Sequence, residues 1–212
     1  MDRWGRNLGV PVRRRRTWTR NDATAASNPG GLTLCHEKLR ALRPDLYRPL
    51  QRLREMVGLS FPQRTYLEEQ LQHGDSRAAV VVSVIPLLVA AYTDEMDCVA
   101  ILEFPDELVA EYNLREGTRL LTVNSYGDGP EWHEDLVPGP NNTERFTELN
   151  PLIADFVSDD AERLASRKQE ILADEWQRAY RMGRSYLKHR PGVARDGRPV
   201  FCGEPAEVLR KQ

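Results

Sequence analysis

The stretch AAVVVSVIPLLVAAY at 78–92, with TDEMD at 93–97 and CVAILEF at 98–104 behind it, decides how this chain folds. Val80, Val81, Val82, Val84 and Ile85 form a β-branched run that is apolar on both faces, which predicts a buried strand rather than a surface one. The alternative, a membrane span, fails on length. As a helix, 78–92 would reach about 22 Å across a hydrocarbon core of roughly 30 Å. Pro86 has no N–H to give to a ladder, so the strand bends there or lies at an edge before resuming through Tyr92. Residues 93–97 are a polar connection, and 98–104 read as a second strand that completes a hairpin.

Working outward toward the C-terminus, Pro105 suits the first position of a short helix at 106–112. Asp106 and Glu107 fall at the positive end of its dipole. Gly117 permits the turn into a third strand at 119–126. Phe104-Pro105-Asp106-Glu107-Leu108, followed by Leu114-Arg115-Glu116-Gly117-Thr118-Arg119-Leu120, resembles the strand, Pro-led helix and Gly turn of swapped-hairpin AbrB-type DNA-binding domains. That resemblance implies DNA contact by the preceding hairpin. Where such domains carry Lys or Arg and a Gly near the hairpin turn, this chain has Asp94, Glu95 and Asp97 and a longer connection. The resemblance is local, and it assigns no family to the chain.

Toward the N-terminus, residues 1–31 show no sustained period, carry seven arginines and end in turn-formers, which predicts a disordered basic arm. The run Arg13 to Arg16 is followed by no apolar segment, so no secretory leader is expected, although the Arg, Thr and Ala content suits an organelle transit peptide. From 32 to 74, Leu39, Leu42, Leu46, Leu50, Leu53 and Val57 recur every three or four residues as one amphipathic face. Pro44 divides it. A capping box at Ser60 and Gln63 opens a further helix at 61–73. Beyond the strands lie a long polar loop at 126–142, a helix at 146–157, and a long helix from Asp159, read as its cap, to His189. Pro191 and Gly192 stop it, and 191–212 form a tail with room for one edge strand.

The architecture these elements predict is α+β: a small, mostly antiparallel sheet with N-terminal helices and a long C-terminal helix packed on it, a single domain over 32–190. At 212 residues a core needs neither disulfides nor a metal. Cys35, Cys98 and Cys202 are odd in number and widely spaced, which points to a reducing, cytoplasmic setting.

The formal charge of −2 hides a segregation. Residues 1–77 hold 15 basic and 8 acidic residues, net +7; 78–162 hold 3 and 18, net −15; 163–212 hold 12 and 6, net +6. Surplus negative charge in the middle needs positive charge against it, from the flanking helices or from a basic protein partner or a second copy.

Within 126–142, His133, Glu134 and Asp135 are the residues with acid–base or metal-binding chemistry. Their adjacency in sequence does not match H-E-x-x-H spacing, so no metal or cofactor is assigned. Asp94, Glu95, Asp97, Asp128, Glu131 and Trp132 are the binding candidates of the acidic middle. The first functional expectation is a non-enzymatic binding or assembly module. The alternatives are an enzyme with its site in the 126–142 loop and a DNA-binding protein using the arginine arm or the AbrB-like segment. Nucleic acid is the weaker expectation because the candidate surface is acidic.

Overall fold

The computed structural model describes residues 26, 28–49, 63–127, 133–199 and 208–210. Within them the chain is α+β. Seven strands, β1 Asp75–Val84, β2 Leu87–Thr93, β3 Cys98–Phe104, β4 Arg119–Gly127, β5 Glu148–Ile153, β6 Val193–Asp196 and β7 Val208–Arg210, form one curled sheet. Their order is β5-β4-β1-β2-β3-β6-β7, antiparallel except where β3 meets β6. The helices are α1 His36–Leu42, α2 Gln63–His73, α3 Glu107–Glu111, α4 Ala161–Glu170 and α5 Ala173–His189, with 3-10 turns at Pro44–Tyr47 and Ala154–Phe156. Among the described residues no helix is long and apolar enough to cross a membrane.

The apolar run forms two strands rather than one bent one. β1 and β2 pair with Ala79 opposite Ala91 and Val84 opposite Leu87, and the chain reverses at Ile85-Pro86. At a reversal the proline's missing donor leaves no ladder acceptor unpaired. Leu87, the first residue beyond it, donates its N–H to Asp106 Oδ1 at 2.8 Å. β2 and β3 form the expected hairpin, in register from Leu87 opposite Phe104 to Thr93 opposite Cys98. Gly117 takes φ +84°, the left-handed turn that lets β4 come back beside β1.

Alternate residues of a strand face opposite sides of the sheet, so these strands sort their side chains into two cores. Ala78, Val80, Val82, Ala90, Tyr92, Val99 and Ile101 face α5, which buries Trp176, Ala179, Gly183 and Tyr186 in a stripe at helical spacing. Gly183 lets the helix lie close: a Cβ there would stand 2.6 Å from the Ala90 Cβ and 2.8 Å from Val82 Cγ1. The other set, including Ala79, Val81, Val89, Ala91, Cys98 and Leu102, belongs to the larger core with Leu39, Leu42 and Leu46, Leu67 and Leu71 of α2, and Leu149 and Phe156.

Four expectations change. Residues 146–157, read as a helix, are β5 and a 3-10 turn; Pro151 is tolerated because β5 is the sheet edge, antiparallel to β4 alone. The single helix from Asp159 to His189 is two. Ile171 is extended (φ −75°, ψ 126°) and packs against both cores, so α4 covers β4 while α5 turns to cover β1 to β3. The cap of α4 is Asp160, which accepts from Arg163 N, one residue beyond the expected Asp159. Residues 193–196, placed in the tail, form β6 inside the sheet, while β7 at 208–210 is the edge strand for which the tail had room.

The last residues of the proposed arm are also placed in the fold. Gly30 N donates to Gly74 O at 3.1 Å, and Pro29 bridges to Asp75. Residues 1–25 and 27 of the arm, Leu50, Leu53, Val57, the Ser60 cap and Cys202 lie outside the described residues.

Candidate functional site

The 133–147 loop is held to the sheet by its own polar groups. Asp135 is 2% exposed and Arg195 is 1% exposed, and the guanidinium clasps the carboxylate with Nε–Oδ2 at 2.6 Å and Nη2–Oδ1 at 2.9 Å. The third donor, Nη1, reaches Leu149 O at 2.6 Å. Arg195 lies on β6 and Leu149 on β5, which are the sixth and first strands of the order, so one side chain ties the curled sheet together across its opening.

Beside this clasp, burial and the Arg195 charge hold the His133 imidazole below its ordinary pKa. Glu134 offers its carbonyl to Arg190 Nη1 at 2.7 Å. The β2–β3 turn grips the same loop further along: Asp97 Oδ2 accepts from Asn141 Nδ2 at 3.0 Å, and Thr143 Oγ1 donates to Glu95 Oε2 at 3.0 Å.

The candidates therefore divide among four contacts, that of Glu134 with Arg190 being the first. His133 and Asp135 sit by Arg195, Glu95 and Asp97 anchor residues 141–143, and Asp94 turns away to Arg77 Nη2 at 2.7 Å. Among the described residues no three His, Cys, Asp or Glu side chains are arranged to hold a metal ion. Asp128, Glu131 and Trp132 lie outside the described residues.

Arg77 also joins a second buried cluster, at the start of β1. Its Nε lies 2.9 Å from Asp75 Oδ2, which in turn accepts from Tyr126 Oη at 3.1 Å. Thr93 Oγ1 lies 2.9 Å from the same hydroxyl, while Asp75 Oδ1 is buried with no hydrogen-bond partner. Burial pushes the Asp75 carboxyl up to about 7 against the opposing pull of Arg77, and Asp94 adds to the rise. Burial likewise pushes the Cys98 thiol up to about 12, which leaves it a small apolar side chain and not a nucleophile.

Outside the clasp is an open groove of about 390 Å³. Its apolar lining is Val99 of β3, Val137 of the loop, and Met182 and Tyr186 of α5; its polar lining is Ser185, His189 and Arg190. Val137 is 50% exposed although Leu136 beside it is buried, so the loop holds a bare apolar wall over the groove. The Arg190 guanidinium lies over the Tyr186 ring, 5.9 Å from its centroid. Ser185 and His189 resemble a nucleophile and base, but Nδ1 is 2.7 Å from Ser185 O and 3.5 Å from Ser185 Oγ. The carbonyl needs the proton of Nδ1, so that nitrogen has no lone pair for the hydroxyl.

Sequence reasoning left these residues out because His189 read as a helix-end residue. The signal present was the apolar pair Leu136-Val137 inside a polar loop.

Part of the segregated charge is paired across the fold. Arg77 meets Asp94, Lys168 meets Asp155, Arg178 meets Asp97, Arg184 meets Glu116 and Arg195 meets Asp135. In each pair the base comes from a basic flank and the acid from the acidic middle. Comparison of the chain with protein-family models, curated proteins and solved structures finds no match.

Proposed function

We propose that this chain is a binding module, and that its ligand seat is the groove between the end of α5 and the 136–137 wall rather than the acids of its middle. The observation that carries this reading is the contrast between the loop and the groove. Asp135, Glu134, Asp97 and Glu95 hold the loop in place, whereas the neighbouring groove is open, mostly apolar and edged by three polar side chains. Small-molecule sites have this character: an apolar floor, a few convergent polar groups, and a volume of roughly 300–1,000 Å³.

The intramolecular ion pairs support the same choice, since Asp94, Asp97, Glu116 and Asp155 have cations of their own chain beside them. A catalytic role for the loop gains no such support. Asp135 gives both oxygens to Arg195, which leaves it poorly placed to accept a proton from a substrate.

The test is a titration of the labelled protein with a panel of small apolar fragments, followed by amide chemical shifts. The largest shifts are expected at Val99, Val137, Met182 and Tyr186. Shifts centred on Asp94, Glu95 and Asp97 would return the binding surface to the acidic turn and overturn the reading.

A further inference from the structure

We propose that the groove takes a small monocarboxylate with an apolar body. The apolar part covers Val99, Val137, Met182 and the Tyr186 ring, and the carboxylate meets Arg190 and His189. This rests on the groove being the ligand seat and adds the chemistry of its occupant.

The floor accounts for the apolar body. Met182 adapts its shape to what it meets, and the half-exposed Val137 gains burial only when something lies against it. The rim accounts for the charge. Lys188, His189 and Arg190 follow one another at the end of α5, and Arg190 is the permanently charged member that lines the groove. A guanidinium has five N–H donors in a planar fork; Glu134 O takes one and the Tyr186 hydroxyl another, so donors remain for a planar anion.

Two carbonyls near the negative end of the helix already have donors, which lessens the repulsion that end exerts on the anion. Arg190 N donates to Tyr186 O at 2.8 Å, and His189 Nδ1 is 2.7 Å from Ser185 O. With Nδ1 donating, His189 Nε2 accepts a hydrogen bond when neutral and donates one to a carboxylate when protonated. Asp135, the buried acid of the neighbouring loop, is paired with Arg195. One guanidinium in a mostly apolar groove matches a single negative charge; a phosphate monoester would bring nearly two.

Calorimetric titration of the full chain with sodium octanoate and with 1-octanol tests both layers. Octanoate is expected to bind about tenfold more tightly than octanol, the usual scale for a charged hydrogen bond. Arg190→Gln should reduce octanoate to the level of octanol. Val137→Glu, at a position open enough to leave the fold alone, should weaken octanol through the lost apolar wall and weaken octanoate further through repulsion. Met182→Trp fills the floor and should abolish both.

Equal affinity of octanoate and octanol, or indifference of octanoate to both Arg190→Gln and Val137→Glu, would overturn the carboxylate while keeping the groove. Binding of neither compound, or binding that survives Met182→Trp, would overturn the groove itself. Circular dichroism of each variant separates a lost site from a lost fold.

Discussion

Two buried aspartates in this molecule have an arginine beside them and differ in everything else. Asp135 meets Arg195 through two parallel contacts, and the arginine's remaining nitrogen is bonded to Leu149 O. Asp75 shares Arg77 with Asp94, has a tyrosine hydroxyl on one oxygen, and leaves the other without a hydrogen-bond partner. The first is a clasp whose donors and acceptors are matched. The second is under-supplied with donors, and its carboxyl titrates near neutrality. Composition alone would have rated them alike. What separates them is donor count and geometry in a medium where an unmatched charge is expensive.

The largest expected effect breaks the clasp. Arg195→Ala leaves Asp135 buried without its cation and should lower stability by about 3–5 kcal/mol in urea unfolding. Replacing both partners with apolar residues should recover much of that loss, because a vacated pair costs less than a widowed charge. Cys98, buried in the same core, offers a second readout: its reaction with iodoacetamide should be slow in the native chain and accelerate in Arg195→Ala.

The next effect concerns pH at the other aspartate. The folded carboxyl titrates at about 7, above its ordinary 3.8, so the folded state binds the proton more tightly than the unfolded one. This contribution is complete below about pH 4, is lost as pH rises through 7 and is flat beyond, with a size of up to about 4 kcal/mol. Glu175, also raised by burial, slopes the same way, while Arg77 and Tyr126 stay protonated throughout this window. Asp75→Asn should flatten the difference in stability between pH 5 and pH 8. An unchanged slope in that variant would place the titration elsewhere.

The smallest effect comes from an exposed pair. The side chains of Arg184 and Glu116, 2.9 Å apart, are 53% and 44% exposed, and Arg184→Ala should change stability by about 1 kcal/mol or less. A loss as large as that at Arg195 would mean that burial does not set the ranking.

How much of this was legible in the sequence depends on the range over which each signal acts. The hairpin of β2 and β3, the short helix after Pro105 and the turn at Gly117 are written in adjacent residues, and the structure has them. The helix expected at 146–157 failed because Phe146, Leu149, Leu152, Ile153 and Phe156 fit a helical spacing as well as a strand entering a 3-10 turn. Only the edge position beside β4 chose between them. The candidate site was less legible still. Asp135 is 60 residues from Arg195, and Met182 and Val137 meet only because α5 crosses the sheet to the loop.

From its sequence alone this protein acquired its class, its β-branched centre, its helix stripe at Trp176, Ala179 and Gly183, and the segregation of charge into basic flanks and an acidic middle. Those are properties of composition and short-range period, which act before the chain is compact. Tertiary structure decided that residues 193–196 would become an inner strand, that Arg195 would close the curl, that Asp75 would be left short of donors, and that an apolar groove would open beside a cationic helix end. Each of these depends on which distant groups share a low-dielectric interior or a common rim, a relation that exists only once the sheet has curled.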